Sequence, residues 1–599
     1  MNDSTTLPLT IARKGKLGRL EAFLPTLVLA AGGAALPLFG DAYLGVIGTR
    51  AYIYWVLVSG LNLVVGFGGQ IAIGWVALLT LGAYVTSVLT AGTVLPEMSP
   101  YLALISAGVL GAIFGVIIGL PALRLRTFYF AMTTLSFATI VTQVALAWKS
   151  VTGGGVGVPG PLFPWPFSSP WGFYYFCLGL AVLCTWMTTN IAASRFGRSL
   201  VAIRDAEVAA EAVGIFKPSL LVTVFLFSGA VAAIAGGLFA SLQSYITPDA
   251  FTFDLSVLFF IAILIGGRGS ILGPLLGTVI LTALPEFAAP LVAWSTFLYA
   301  VLLLVIVLAV PGGIADMLDY KNRRPLQRHR EIRPRPDLLG QVAPPPGQLN
   351  LLKLEQLSLS FGGVRAIDGI NLEIRAGEIH GLIGPNGSGK TTTLNVISGY
   401  YAPQQGRVCL NEKVLPAYAA HARAGHRIAR TFQTPRLVGA ASVLENVMIG
   451  GSTAGRASFI ESLLLLPRHR RDEARALDAA MAALKAVGLD QLAFVRADRL
   501  QHSELRFVEI ARALILRPHF LLLDEPAAGL SVDEIKRLGT LILTISRQGT
   551  GVLLVEHHAD LIFEICDRVT VLNLGKVLAS GTPVEIRGHR EVINAYLGA

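Results

Sequence analysis

Charged residues are scarce in this sequence of 599 residues. Asp, Glu, Lys and Arg make up 14% of the chain and hydrophobic residues 53%, whereas soluble globular chains carry roughly 25% charged residues. This shortage excludes intrinsic disorder, a collagen-like chain and a protein that faces water along its whole length. The four cysteines have no C-x-x-C spacing, so they indicate neither a zinc site nor a disulfide framework.

The shortage is most severe in the first half. Between residues 51 and 190 the charged residues are Glu97, Arg124, Arg126 and Lys149. Such a stretch belongs in lipid, where one helical span needs ~20 apolar residues. About ten segments meet this need, namely 21–40, 51–69, 71–92, 101–121, 127–147, 171–191, 219–244, 254–268, 271–289 and 292–311.

Basic clusters predict the orientation of these spans. They lie at 13–19, 124–126, 195–217 and 321–335. If the number of spans is even, all four clusters fall on the same side of the membrane. Lys and Arg favour the cytoplasmic side, so both termini are expected in the cytoplasm and the first span is interpreted as an uncleaved helix. The chain has a net charge of +10, but its basic residues form no stripe interleaved with aromatic residues. This distribution argues for membrane lipid and against nucleic acid as a partner.

Two polar segments interrupt the apolar half. The stretch Ser194–Pro218 is charged and amphipathic, and it is either an ordinary membrane-surface helix or a docking helix for a soluble motor. Four alanines at 206, 209, 210 and 212 favour close packing and therefore docking. The stretch Val151–Gly160, VTGGGVGVPG, is either a plain turn or a set of backbone N–H groups that contacts a carboxylate.

A phosphate-binding motif follows in the second half. The run G-x-x-x-x-G-K-T extends from Gly384 to Thr391, after an apolar strand and before a helical pattern. Glycines let the backbone N–H groups face phosphate oxygens, Lys390 adds a positive charge, and the Thr391 hydroxyl suits Mg²⁺. The residues expected to contact nucleotide are Gly384, Pro385, Asn386, Gly387, Ser388, Gly389, Lys390, Thr391 and Thr392.

An apolar run that ends in two acids, FLLLDE, supplies the second element of a nucleotide site. Asp524 is expected to complete the Mg²⁺ shell, and Glu525 to orient or deprotonate the attacking water. His557 follows the apolar strand 551–555 and is a candidate for contact with the γ-phosphate. Paired with the phosphate loop, these acids predict hydrolysis of a nucleotide rather than binding alone.

The order of these elements resembles the ATP-binding-cassette ATPases over 350–599. The resemblance rests on the phosphate loop, RTFQTPRL, VEIARAL, LLLDEP with AAGLS, and Glu556-His557. It implies that Phe361 stacks on adenine, that Gln433 contacts the nucleotide and Mg²⁺, and that Glu525 and His557 are catalytic.

The apolar half resembles the permeases of branched-chain amino-acid importers through LNLVVGFGGQIAIG, FAMTTLSFATI and IGGRGSILGPLLG. We therefore expect a polytopic α-helical permease domain of about ten spans at 1–320, a basic proline-rich linker at 321–347, and an α/β P-loop ATPase domain at 348–599. In that family the loop around 207–214 couples the two domains.

One departure from the ATPase family falls at 500–504, where LQHSE replaces a signature close to LSGGQ or LAYGQ. Ser503 stands in place of a glycine, and Glu504 adds negative charge near the helix N-terminus. Since the signature of one subunit completes the site of its partner in this family, we expect the partner's site to be the weaker of the two.

The resemblance implies ATP-driven import at a bacterial plasma membrane. It also implies a second permease and a second ATPase, or self-pairing, and an extracytoplasmic binding protein that delivers a small-molecule substrate. Urea, short amides and small carboxylates remain possible substrates in place of amino acids. Two competing functional hypotheses are a nucleotide-gated membrane protein with weak hydrolysis and an exporter half-transporter with about six long spans.

Overall fold

A computed structural model describes residues 16–38, 41–94, 96–125, 127–288, 294, 297, 300–301, 304–305, 308–309, 312–315, 335–344 and 350–597. As far as it is described, the chain divides into two compact units. The helical unit comprises 1–204, 217–325 and 458–466, and the α/β unit comprises 205–216, 326–457 and 467–599. Each unit therefore contains a segment that chain order alone would assign to the other.

The helical unit follows from long apolar runs with few breaks. Ser99 and Ser169 cap the helices that follow them, each with a proline at the first helical position. The helices of the first half are α1 (Lys16–Ala35), α2 (Ala42–Asn62), α3 (Val76–Ala91), α4 (Pro100–Gly119), α5 (Thr127–Ala147), α6 (Lys149–Thr152), α7 (Pro170–Ala192), α8 (Arg195–Ala212), α9 (Lys217–Gln243), α10 (Phe253–Gly266) and α11 (Gly273–Ala288).

The spans are broadly as expected. Within the described residues, 6 helices are long and apolar enough to cross a membrane, and three shorter apolar helices lie at Phe23–Leu38, Val76–Ala91 and Gly273–Pro285. The third predicted segment, 71–92, is helical only from Val76, and the eighth, 254–268, is a helix of 14 residues. The tenth, 292–311, falls largely outside the described residues.

The glycine-rich turn predicted at Val151–Gly160 forms part of a small sheet. Strand β1 (Val158–Pro159) pairs antiparallel with β2 (Tyr245–Ile246). Gly157 has φ +89°, and a Cβ there would lie 2.1 Å from the carbonyl oxygen of Ile246. This contact accounts for the glycine at 157, because a side chain there would push the two strands apart.

The α/β unit combines a six-stranded sheet, a four-stranded sheet and surrounding helices. Its strands are β3 (Leu351–Phe361), β4 (Val364–Arg375), β5 (Ile379–Ile383), β6 (Gln405–Leu410), β7 (Lys413–Val414), β8 (Ile428–Arg430), β9 (Phe520–Asp524), β10 (Gly551–Val555), β11 (Arg568–Asn573) and β12 (Lys576–Gly581). The helices of the second half are α12 (Lys390–Ile397), α13 (Ala420–Gly425), α14 (Val443–Gly450), α15 (Phe459–Leu463), α16 (Pro467–Ala486), α17 (His502–Leu514), α18 (Val532–Arg547), α19 (Ala559–Ile565), α20 (Pro583–Arg587) and α21 (Arg590–Leu597).

The larger sheet has the order β12-β11-β5-β10-β9-β8. Strands β11, β5, β10, β9 and β8 run parallel, and Val555 pairs with both Leu382 and Asp524. Strands β5, β9 and β10 are buried along their whole length, which explains their continuous apolar sequences. Parallel strands end at one edge of a sheet, so the residues after β5, β9 and β10 meet there.

Two segments belong to a different unit from the sequence around them. Residues 205–216, which we call the docking segment, belong to the α/β unit, whereas Ser458–Leu466 belongs to the helical unit. In the helical unit the Asn190 amide donates a 2.9 Å hydrogen bond to the carbonyl of Leu463, and the Phe459 ring packs edge-on against Phe196 and Phe227.

The linker expected at 321–347 lies mostly outside the described residues. Its described part includes a 3₁₀ helix, Pro336–Val342, whose Leu339 and Val342 side chains are buried in the core of the α/β unit. The domain boundaries stay predictions.

Candidate functional site

The phosphate loop leaves the carboxyl end of β5 and leads into α12. Gly384 has φ +152° and Gly389 has φ +102°. A Cβ would lie 2.2 Å from the carbonyl oxygen of Leu572 in the first case and 2.5 Å from that of Ala366 in the second. Both positions therefore need glycine, for conformation and for space. Gly387 faces open space, as a position beside a bulky anion should.

Lys390 is buried at the start of α12. Its ammonium donates hydrogen bonds of 2.7 Å to the Gly384 carbonyl and 3.0 Å to the Pro385 carbonyl. Burial lowers its pKa, and the nearby Glu525 and Asp524 oppose that shift. The Ser388 hydroxyl is also buried and has no protein partner. A cation and an unpaired hydroxyl in a glycine cradle are suited to phosphate oxygens.

Asp524 ends β9 in a buried ion pair. Its Oδ2 lies 3.0 Å from the Arg430 guanidinium, and both side chains are almost fully buried. Burial raises the pKa of Asp524 in spite of the opposing attraction of Arg430. The carboxylate therefore depends on a nearby positive charge, from Arg430 or from a metal ion, to remain ionised at this depth.

Glu525 forms the centre of the site. Its Oε2 accepts a 2.7 Å hydrogen bond from the Gln433 amide, and its Oε1 lies 3.0 Å from Nε2 of His557. Its own φ is +47°, a left-handed conformation that is uncommon for a residue with a side chain and is concentrated at functional sites. The structure thus brings together three residues that lie far apart in the sequence.

The residues predicted to hold Mg²⁺ are Thr391, Gln433 and Asp524. Thr391 lies in the first turn of α12, and hydroxyl and carboxylate oxygens are the ligands that Mg²⁺ prefers. The described residues contain no cluster of three or more His, Cys, Asp or Glu that could hold a metal alone. This donor set fits an ion that also binds substrate phosphates and water.

The predicted adenine contact, Phe361, is exposed at the end of β3. Its ring packs edge-on against Tyr401 at 5.1 Å between centroids. The remaining loop residues, Asn386 and Thr392, lie on the exposed side of the loop and in the first turn of α12.

Sequence reasoning named Glu556 as part of a motif but did not assign it the task of holding this site in place. The buried carboxylate of Glu556 accepts hydrogen bonds from the backbone N–H groups of Ala527, at 2.5 Å, and His557, at 3.0 Å. It therefore fixes the chain after Glu525 and the start of the His557 loop. An acid at the end of an apolar strand was the available signal.

A second group of missed residues lies on α17. Arg506 donates to the carbonyls of Phe432 and Gln433, and Arg512 donates to the carbonyl of Arg436 and to Glu509. Burial raises the pKa of Glu509, which Arg512 opposes. The i, i+3 spacing of these charged residues could have revealed one helix face. They hold the loop that carries Gln433.

The signature region forms the N-terminus of α17. Glu504 accepts a 2.8 Å hydrogen bond from the backbone N–H of Gln501, which closes a capping box at that end. A helix N-terminus attracts anions through such N–H groups. The carboxylate of Glu504 therefore places a negative charge at this helix N-terminus.

Comparison with known proteins identifies both halves. Residues 43–310 match the branched-chain amino acid transport system permease component, and residues 367–528 match the ABC transporter ATPase. Residues 576–599 match the branched-chain amino acid ATP-binding cassette transporter. The second match includes the phosphate loop, Gln433, Asp524 and Glu525.

The curated relatives are ATP-binding proteins of high-affinity branched-chain amino acid transport. LivG of Salmonella typhimurium is 41% identical over 249 residues, which cover 41% of this chain and 98% of that protein. LivG of Escherichia coli K12 is 40% identical, and BraF of Pseudomonas aeruginosa 37% identical, over the same shares.

An ATP-binding-cassette domain of this kind hydrolyses ATP coupled to transport, and several apolar helices make the chain a multi-pass membrane protein. The chain therefore belongs to the family of branched-chain amino acid ATP-binding cassette transporters, with the permease component and the ATPase on one polypeptide.

Proposed function

We propose that this chain imports branched-chain or related amino acids across a bacterial inner membrane, driven by ATP hydrolysis at Glu525. The observation that carries the proposal is the hydrogen-bonded group of Gln433, Glu525 and His557 beside the phosphate loop. The match of the other half to a permease component supports transport, and the resemblance to importer permeases supports the inward direction. Both termini would lie in the cytoplasm.

In the proposed reaction the loop N–H groups and Lys390 bind the β- and γ-phosphates. Glu525 orients a water molecule and accepts its proton while the water oxygen bonds to the γ-phosphorus and the bond to the ADP oxygen breaks. His557 and Gln433 fix the two oxygens of Glu525, and Phe361 would contact adenine. Thr391 and Asp524, with Gln433 nearby, would hold Mg²⁺, which neutralises phosphate charge.

The docking segment connects this site to transport. In the α/β unit Ala206, Ala209 and Ala212 pack against Phe432, the residue before Gln433. The Tyr400 hydroxyl donates to the carbonyl of Val208. A change at Glu525 is thus two residues away from the docking segment, through Gln433 and Phe432, which supports a coupling role for 205–216.

A bulky side chain at Ala209 is expected to uncouple the transporter. Ala209 is 1% exposed, so Ala209→Arg must displace Phe432, and overpacking of this kind costs about 1–3 kcal/mol. Uptake per ATP hydrolysed should fall by about tenfold, since the packing between the docking segment and Phe432 is lost while Glu525 itself is kept. The measurement is labelled amino-acid uptake per ATP hydrolysed.

Ala209→Ser is the matched control, because its side chain adds a single oxygen. If Ala209→Arg and Ala209→Ser transport equally well per ATP, the docking segment does not couple hydrolysis to transport.

The capping of α17 by Glu504 supports an asymmetric pair of ATP sites. This chain would complete its partner's site with a helix end that Glu504 already occupies, whereas its own loop keeps Lys390, Asp524 and Glu525. We therefore propose that the site on this chain carries most of the hydrolysis.

The assembly would contain a second permease and a second ATPase, or a second copy of this chain, together with an extracytoplasmic binding protein. We propose the domain boundaries 1–320, 321–347 and 348–599 for the permease, linker and ATPase.

A competition experiment distinguishes the substrate classes. Unlabelled valine and isoleucine should suppress uptake of labelled leucine in vesicles that contain the assembled transporter, and urea, acetamide and succinate should not. Suppression by urea or acetamide alone would assign the transporter to the class that carries urea and short amides.

A further inference from the structure

Two helices of the helical unit break at one junction. Helix α2 ends at Asn62 and continues as a single π-helical turn, Leu63–Phe67, a form found frequently at functional sites. Helix α10 ends at Gly266, before Gly267 and Gly269, both of which have positive φ.

One side chain joins the two breaks. The Asn62 amide donates a 2.8 Å hydrogen bond to the carbonyl of Ser270, and its oxygen accepts a 3.0 Å bond from the backbone N–H of Gly269. Both the NH₂ group and the oxygen of the Asn62 amide therefore form hydrogen bonds with the segment that follows α10. A Cβ at Gly66 would lie 2.1 Å from the Asn62 oxygen and 2.3 Å from the Gly269 nitrogen, so the junction requires glycine there.

Arg204 reaches the same junction from α8. Its Nη1 donates a 2.6 Å hydrogen bond to the carbonyl of Gly66, within the π-helical turn. A Cβ at Gly69, where φ is +67°, would lie 2.4 Å from Cγ of Arg204, so a second glycine leaves room for the arginine. A hydrogen bond with a charged donor is roughly twice as strong as a neutral one.

Arg204 is also the last residue of the helical unit before the docking segment. Helix α8 is interrupted immediately afterwards, because Ala206 has φ −149° and ψ 61°, outside the helical range. The helical segment that carries Arg204 is therefore separated by a kink from the segment that packs against Phe432, and Asp205 lies between them. A movement of the docking segment would reach Arg204 through this backbone connection.

We propose that Arg204 and Asn62 form a latch that holds the cytoplasmic ends of α2 and α10 together, and that displacement of the docking segment releases it. Release frees the carbonyls of Gly66 and Ser270 and the N–H of Gly269 to line an opening for a polar substrate. Irregular backbone at membrane depth suits this task, because it supplies polar groups beside an aqueous path. The assignment of these helix ends to the cytoplasmic side, and the role of the latch in transport, rest on the proposed function.

Thiol labelling tests the latch. Ser270→Cys serves as a reporter, since the carbonyl of Ser270 and not its hydroxyl makes the bond, and the four native cysteines are buried. The assembled transporter in inside-out vesicles is treated with a membrane-impermeant maleimide. Adding Arg204→Gln should raise the labelling rate by about tenfold, because one charged hydrogen bond is lost.

The matched control is Arg198→Gln. Arg198 lies on the same helix and is buried, and its Nη1 bonds to the nearby carbonyl of Ala193 instead of the junction. It should leave the labelling rate unchanged. Gly66→Ala provides a second route, because its added Cβ pushes Asn62 from Gly269 while the Arg204 side chain is kept, and it should raise labelling as Arg204→Gln does.

The latch is overturned if Arg204→Gln and Gly66→Ala are labelled at the parent rate, or if Arg198→Gln is labelled as fast as Arg204→Gln. Failure of the proposed function has a different signature. In that case the parent takes up no amino acid, yet the labelling difference between Arg204→Gln and Arg198→Gln persists.

Discussion

Glu525→Gln is expected to reduce ATP hydrolysis by the assembled transporter by about 10²–10⁴-fold, the range that a positioned general base contributes. The substitution removes the group that accepts the proton of water. It also replaces one carboxylate oxygen by an amide NH₂, which cannot accept the hydrogen bond from Gln433 if it faces that residue. ATP binding should persist, because Lys390 and the loop glycines are unchanged. Phosphate release and equilibrium ATP binding measure the two effects separately.

Glu564→Gln is the matched control, since Glu564 is exposed on α19, and it should hydrolyse ATP at the parent rate. Hydrolysis that survives Glu525→Gln would remove Glu525 from the proposed mechanism. The corresponding change in the partner ATPase tests asymmetry. An equal loss from the two changes would contradict the proposal that this chain's site carries most of the hydrolysis.

Arg430→Ala is expected to destabilise the α/β unit by about 3–5 kcal/mol, the cost of leaving a buried charge without its partner. Asp524 lies 3.0 Å from Arg430 and is almost fully buried, so neither water nor another arrangement of the pair compensates for the loss. Hydrogen exchange of the β9 amides in the purified full chain measures the change in opening free energy.

Two further variants serve as the control and as a test of the cause. Arg375→Ala removes an exposed arginine and should change the opening free energy by no more than ~0.5 kcal/mol. Adding Asp524→Asn to Arg430→Ala should recover part of the loss, because a neutral amide then replaces the unpaired buried carboxylate. A loss from Arg430→Ala as small as that from Arg375→Ala would mean that the pair does not stabilise β9.

The placement of the candidate site residues side by side was largely predictable from sequence, because they follow apolar strands directly. Glu525 and His557 follow two strands of one parallel sheet, and a motif identifies the loop of Lys390. Arg430 and Glu556 were not predictable in this way. Each is charged within an apolar stretch, and its role depends on a partner that folding brings close.

In the helical unit the sequence predicts the helices but not the features of the proposed latch. Hydropathy indicates where helices cross the membrane, but it carries little information about where they break. Gly66 and Gly69 are ordinary glycines in an apolar run until folding places Asn62, Gly269 and Arg204 beside them. The junction that Asn62, Gly66 and Arg204 form therefore emerges only from three-dimensional contacts.

ATP-dependent uptake of labelled leucine tests the account most directly. Membrane vesicles that contain this chain, its partner subunits and the binding protein are loaded with ATP, and Lys390→Ala is the control. The account predicts that leucine accumulates inside the vesicles and that Lys390→Ala abolishes the accumulation. Hydrolysis of ATP without leucine uptake, or uptake that survives Lys390→Ala, would contradict it.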